Sequence, residues 1–283
     1  MFRYIFLVFA ILCFAQWSFA KEPARFYVSF GYMGHHTHFE EKVTPKVTDT
    51  GNTYGFYGQA YYPFAQKEKN NQFLSFDFSY QSVDFTYDGA IFAIDSNGSE
   101  LFIPTKGKTK GFMYNIRLKY GVEYLMQCCK TSIYALSGYR FYKRTLEGDY
   151  GYNEYYRWLY LGLGVGLNFN VSQKIKAGIN AEGMYVPINS KSFKDVKVTL
   201  SKMDKQLEDD SFKLGSVYGY RFEMPIEYIA TSSVSFEIKP FYEYWHVGKS
   251  ETKPVNIETL YAVVPAHFTK NTGIYAGLKY TFR

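Results

Sequence analysis

Little in this chain points to catalysis or to covalent staples. It holds three cysteines, five histidines and nine prolines in 283 residues, too few thiols for the disulfide framework of a small secreted domain. After the first twenty residues no run of about 18 apolar residues occurs, so no helix spans a membrane. The formal net charge is only +6 and the basic residues are dispersed; no nucleic-acid-binding face follows from them. The glycines of RWLYLGLGVGLNFNV (157–171) do not form G-x-G-x-x-G, and the segment does not turn into a helix, so a dinucleotide loop is excluded. What the chain has in abundance is aromatics, 29 Tyr and 26 Phe, alongside 47% hydrophobic residues and a mean hydropathy of -0.26. That combination suits strands in which only every second residue faces lipid.

The first twenty residues, MFRYIFLVFAILCFAQWSFA, carry one basic residue, an apolar run too short to span, and small residues Ser18 and Ala20. They are built like a secretory signal peptide cleaved after Ala20. Cys13 leaves with it, because Leu12 is too large for the position before a lipoprotein cysteine. The expected organisation is a signal peptide over 1–20 and one barrel domain over 21–283.

The rhythm of residues 157–171 is strictly two. Leu159, Leu161, Leu163, Val165, Leu167 and Phe169 share one parity, and Tyr160, Gly162, Gly164, Gly166 and Asn168 the other. Strand side chains alternate between faces, so one face is greasy and the other small or polar. Phe112 to Tyr124 repeats the pattern with Arg117, Lys119 and Glu123 on the polar parity. A slip of one residue would place the cations in lipid, at about 2 to 4 kcal/mol each near the midplane. Strands are expected near 25–36, 53–64, 72–86, 110–124, 131–146, 154–170, 174–187, 214–228, 233–248 and 270–283; the fifth alternates poorly. Connections after strands two, four, six and eight are short. Those after one, three, seven and nine are long and polar, and EGDYGYN after strand five is short. This reads as an all-β, antiparallel up-and-down transmembrane β-barrel of about ten strands, with both chain ends in the periplasm. A soluble lipocalin-like barrel is the competing architecture. Aromatic placement argues against it: Tyr152, Tyr155 and Tyr156 at one strand end and Phe64, Phe73, Phe236, Tyr280 and Phe282 at the other suit two interfacial girdles. Pro225 and Pro240 fall inside strands eight and nine, and each is expected at a bulge or a strand end.

The tail YAGLKYTFR resembles the C-terminal assembly signal of Gram-negative outer-membrane β-barrels, with Tyr275, Gly277, Tyr280 and Phe282 at the characteristic places. Family members commonly end on the aromatic, whereas this chain ends on Arg283. The resemblance implies insertion by the barrel assembly machinery and nothing about activity.

Candidate chemistry is sparse. Arg117, Lys119, Glu123, Lys176, Asn180, Glu182, Arg221, Glu223, Glu227, Glu237, Lys239, Glu243 and Lys279 face inward in this reading, and their mixed signs suggest paired charges that either plug the lumen or line a narrow path. Omptin-like proteases carry Asp-x-His at the barrel mouth and outer-membrane phospholipases carry His-x-Ser-Asn-Gly; neither sequence occurs. Loop acids Asp149, Glu208, Asp209 and Asp210 lack a base beside a nucleophile. In GHHTHFEE, His36 and His38 share a face, but no metal ligand is assigned. Cys128 and Cys129 lie in a periplasmic turn, where two thiols or a vicinal disulfide are both open. Phe193, Val196, Leu200, Met203 and Leu207 fit a short amphipathic helix, while Val196, Val198 and Leu200 equally fit a prolonged strand. Asp95 to Ser99, DSNGS, resembles a bacterial N-glycosylation acceptor at Asn97. The expected function is thus an integral outer-membrane barrel, non-enzymatic, without cofactor or metal, in a structural or surface-interaction role. A small porin-like channel and, more remotely, a barrel-mouth hydrolase are the alternatives. Its expected partners are outer-membrane lipid and lipopolysaccharide, the assembly machinery and, at the loops, a surface ligand.

Overall fold

The computed structural model describes residues 25–64, 70–94, 100–126, 129–148, 152–187, 194–200, 210–254 and 261–282. The first twenty residues, the DSNGS segment, Cys128, Phe193, Met203, Leu207 and Arg283 lie outside them. The strands are β1 (Tyr27–Glu41), β2 (Val47–Phe64), β3 (Asn70–Ile94), β4 (Glu100–Leu125), β5 (Cys129–Leu146), β6 (Tyr152–Asn170), β7 (Ile175–Tyr185), β8 (Lys194–Leu200), β9 (Asp210–Lys213), β10 (Val217–Glu223), β11 (Ile226–Ile229), β12 (Val234–Val247), β13 (Lys253–Pro254), β14 (Tyr261–Ala262) and β15 (His267–Thr281). Each pairs antiparallel with its neighbours, β15 closes on β1, and β6 pairs with both β7 and β8. β7 with β8 and β9 with β10 and β11 each make one wall position, giving a closed barrel of ten strands.

The register fixes the geometry. One circuit of paired residues from Tyr62 runs through Leu74, Tyr120, Ala135, Leu163, Gly183, Tyr220, Tyr244, Lys270 and His38 and returns to β2 at Thr50, displaced by twelve residues. For ten strands this stagger sets a tilt of about 40° and an interior that side chains can fill.

Outward positions form an apolar band between two aromatic rings. Tyr54, Tyr80, Phe112, Phe141, Tyr218 and Tyr244 mark one end, termed outer; Tyr62, Phe64, Tyr124, Tyr228, Phe236, Tyr280 and Phe282 mark the other, where β1 begins and β15 ends. On β2 the rings are eight residues apart, Tyr54 to Tyr62, a height of about 20 Å at this tilt. Three residues assigned to the girdles from their nearness to strand ends sit on the other parity: Phe73 and Tyr156 are buried in the lumen and Tyr152 packs inward against Val47, Tyr87 and Leu146. Phe169, expected outward, is also buried. From Ser132 onward β5 alternates strictly in space. Its sequence hides this because Tyr134, Leu136, Tyr142 and Leu146 give its inner face an apolar character.

The strands run past the band on the outer side. The connection between β1 and β2 is only residues 42–46, and β3 and β4 remain paired as far as Ile94 and Glu100. Two of the expected long loops are thus largely hairpin: beyond the apolar band, outward residues become polar while backbone pairing continues. Val196 is buried in β8, so the prolonged strand, not a helix, occupies 194–200.

The prolines behave differently from each other. Pro225 lies at the break between β10 and β11, as expected. Pro240 sits inside continuous β12 with no bulge: Glu223 faces Phe241 and Ile226 faces Ile238, so no residue is inserted. The two missing donors are neighbours in the wall, and their carbonyls are used instead, Met224 N–H donating to Pro240 at 2.9 Å and Gly178 N–H to Pro225 at 2.8 Å. Two short turns share one device: Ser172 Oγ accepts from Lys174 and Ile175 N–H, and Thr231 Oγ1 from Ser233 and Val234 N–H. Each hydroxyl satisfies donors that the tight turn leaves over.

Candidate functional site

The inward residues read from the sequence do converge, and they meet as stacked layers. Nearest the end where β1 begins and β15 ends, Lys279 pairs with Glu227 at 2.8 Å and Lys130 with Glu123 at 2.8 Å. Tyr27 stacks on Tyr61 with Lys279 over its ring.

Above this, Arg117 bridges Asp77 (3.0 Å) and Glu182 (2.9 Å), and Lys119 bridges the same acids at 3.2 and 2.6 Å. Lys239 pairs with Glu237 at 2.9 Å, and Tyr57 hydroxyl donates to the same carboxylate. Next comes Glu243, gripped by Arg140 at 2.6 Å, by Arg221 at 3.3 Å and by the Asn271 amide at 3.0 Å. Arg221 also reaches Glu223 and the Tyr275 hydroxyl. Charges buried at this depth persist only when paired and hydrogen-bonded. A polar cavity of ≈ 30 Å³ remains beside Asp77, Arg117, Lys119 and Lys239, room for about one or two waters.

An aromatic layer covers the charges. Trp158, Trp245, Tyr156 and Tyr160 are buried, with Trp245 at 1% and Tyr160 at 0% exposure. Arg140 lies over both indole rings, 5.4 Å from that of Trp245. Among the described residues a cavity of ≈ 10 Å³ remains at this level, beside Met113, Arg140, Trp158 and Trp245, room for about one water at most.

Beyond the outer aromatic ring the mouth is clasped by one guanidinium. Arg144, 0% exposed, reaches Glu154 at 3.2 Å, Asp49 at 3.4 Å and Glu41 at 3.9 Å, so that β1, β2, β5 and β6 are tied together. The Phe39 ring lies 4.4 Å from it. Burial raises Glu41 to about 7, and raises Asp49 and Glu154 in the same direction. Burial also lowers His267, which faces Glu41 across β1 and β15, to about 3.

Every inward residue named from the sequence is buried or half-buried. Sequence reading missed Asp77, Arg140 and the whole Arg144 clasp, although each has the inward parity of its strand. Asp149, Glu208 and Asp209 lie outside the described residues, and Asp210 begins β9. His36 and His38 do share the outward face; His36 contacts Asn52 at 3.0 Å, and His38 contacts Thr50 and Glu40 at 3.2 and 3.1 Å. Among the described residues no cluster of three or more His, Cys, Asp or Glu is arranged to hold a metal.

No protein-family model matches the chain, and no curated protein sequence does. Among solved structures, the outer membrane protease OmpT from Escherichia coli is similar, with a TM-score of 0.60 at 10% identity over 94% of this chain and 99% of that one. The transport unit of the autotransporter AIDA-I from Escherichia coli gives a TM-score of 0.47 at 10% identity over 96% of this chain and 97% of that one. At these identities the OmpT likeness concerns the fold alone: an antiparallel barrel of the kind found in Gram-negative outer membranes.

Proposed function

We propose that this chain, a closed ten-stranded barrel with the outer-membrane fold, is an integral outer-membrane protein whose filled barrel conducts nothing and holds extended hairpins above the cell surface. Its role on this reading is structural or adhesive, and its surroundings are outer-leaflet lipid and lipopolysaccharide, reached through a cleaved signal peptide and the barrel assembly machinery. One observation carries the reading: the paired charges, the Trp158 and Trp245 layer and the Arg144 clasp occupy the lumen at three successive depths. A narrow ion path draws support from the polar layer and its ≈ 30 Å³ cavity, but the cavity beside the buried indole layer above it is only ≈ 10 Å³. A hydrolase at the mouth draws support from the acids there, yet Asp49 and Glu154 are buried against Arg144 and offer no water-activating face. Planar-bilayer recording of the refolded mature chain tests the proposal. Silence is expected, and stepwise openings would favour the channel.

A further inference from the structure

Beyond the outer aromatic ring, the outward faces of the strands differ in charge around the barrel. On β3 to β5 lysines are spent on carboxylates: Lys106 pairs with Asp88 at 3.1 Å and Lys110 with Glu147 at 3.0 Å. On β12, β15 and β1 the outward residues include His246, Lys270, His36 and His38, with Lys42 and Lys46 in the turn that follows β1. Glu40 is the one carboxylate described on this face, and Lys46 at 2.7 Å and His38 at 3.1 Å already hold it. Neither Lys42 nor Lys270 has a carboxylate partner among the described residues. The register gathers these groups. Lys270 stands directly across from His38 on β1 and from Tyr244 on β12, while His36 and His246 lie on its two diagonals, opposite Thr272 and Phe268. Such neighbours are about 5 Å apart at Cβ across the pair and about 7–8 Å on the diagonal. The floor is aromatic: Lys270 Nζ lies 4.8 Å from the centre of the Phe268 ring, Phe268 stacks with Tyr244 at 6.1 Å, and Tyr244 stacks with Tyr220 at 5.1 Å. Burial lowers His246 below the usual histidine value, and the charge of nearby Lys42 lowers it further.

We propose that this patch, centred on Lys270, binds the phosphate group of a phosphorylated glycolipid of the outer leaflet. Direction identifies the source of the phosphate. These residues lie just beyond the ring that ends the apolar band and have outward parity, so they face lipid headgroups sideways and not the water above the mouth. A phosphate oxygen accepts charge-assisted hydrogen bonds from the Lys270 ammonium and further bonds from imidazole N–H groups. The Phe268, Tyr244 and Tyr220 rings give the sugars of the same headgroup an apolar surface to lie on. The site rests on the reading of this chain as an outer-membrane barrel, but not on the closed lumen: none of these side chains faces inward, so a conducting barrel would leave it standing.

The test titrates bisphosphorylated lipid A into the mature chain refolded in dodecyl maltoside, with the adduct read by native mass spectrometry and dephosphorylated lipid A as the comparison. The parent is expected to prefer the phosphorylated lipid by about tenfold. Lys270→Gln should weaken that binding about threefold to fivefold, the scale of one exposed ion pair. Lys143→Gln, which removes a cation beyond the ring on the opposite side of the barrel, should leave it unchanged. Equal binding of the two lipids, or an equal loss in Lys143→Gln, overturns the site. Because a variant can misfold, the parent alone supplies a second measurement: saturating phosphorylated lipid A should slow acetylation of Lys270 and not that of Lys143. Acetylation of Lys270 at the same rate with and without the lipid also overturns it.

Discussion

Tyr134 occupies the space in which a side chain at Gly164 would stand, and four residues along the same strand pair Tyr160 does the same at Gly138. The two tyrosines belong to opposite strands, β5 and β6, and each covers the glycine directly across from it. Their hydroxyls then reach the charge layers, Tyr134 to Glu182 at 3.0 Å and Tyr160 to Asn115 at 2.9 Å. The lumen-side glycines of GLGVG thus include one that gives way to an aromatic ring of the neighbouring strand, a pairing that also shields the bare backbone. They serve close packing and not a ligand.

Parity alone would let a small polar residue replace Gly164, since it faces the lumen. The Tyr134 ring removes that tolerance. Gly164→Ser should lose about 1–3 kcal/mol, the usual cost of overpacking, read as a lower urea midpoint of the heat-modifiable folded band. Gly183→Ala, on the outward face with nothing within 4 Å of an added carbon, should leave the midpoint unchanged. Equal effects would contradict the ring-on-glycine packing.

Glu243 is the shared anchor of two guanidiniums. Glu243→Gln leaves Arg140 and Arg221 without their common carboxylate, and breaking a buried pair costs about 3–5 kcal/mol. The same urea titration should show the largest loss of any single lumen substitution. A shift no larger than that of a surface glutamate would mean the network contributes little.

The Arg144 clasp predicts a pH dependence of stability. Glu41 is raised from its usual 4.5 to about 7 in the folded barrel, so the native state holds its proton more tightly than the unfolded chain. The resulting stability is fully present below pH 4.5 and is lost as pH rises through 7. His267 works oppositely: lowered from 6.5 to about 3, it stays neutral when folded, and its stability is lost as pH falls below 6.5. Urea midpoints of Glu41→Gln should therefore lack the decline on going from pH 5 to pH 8 that Glu41 contributes to the parent. An identical difference in both proteins would place the titration elsewhere.

Much of this architecture was legible in the alternation, and the failures have definite causes. Residues 110–124 revealed their faces because Arg117 and Lys119 cannot enter lipid. β5 did not, because its lumen face is itself apolar at Tyr134, Leu136 and Tyr142. Phe73, Tyr152 and Tyr156 were misplaced because nearness to a strand end was given more weight than parity. The outer halves of β1 to β4 read as loops because hydrophobic alternation requires lipid, whereas backbone pairing does not. The Arg144 clasp left no local signal, since Glu41, Asp49, Arg144 and Glu154 come from four strands and meet only through the register. Pro240 shows that a proline can lie within a barrel strand when its missing donor faces another break.

The closing seam is the most direct link between sequence and assembly. Phe282 stacks on Phe26 at 4.7 Å, its N–H donates to the Phe26 carbonyl at 2.9 Å, and Tyr280 meets it edge-on. Phe282→Ala should sharply lower the assembled, heat-modifiable fraction at matched expression, and deleting Arg283 should be neutral. The reverse order would make the likeness of the tail to the assembly signal accidental.

The closed lumen is the centre of the account, and ionic conductance measures it most directly. Purified, refolded chain in a planar bilayer should show no stepwise openings at any applied voltage that the bilayer withstands. The variant carrying Trp158→Ala, Trp245→Ala and Arg144→Ala, in which both the indole layer and the guanidinium clasp above the polar cavity are removed, should show small, discrete steps and thereby prove that insertion was successful. Discrete openings in the parent, at an amplitude matching that variant, would contradict a filled barrel and establish a pore.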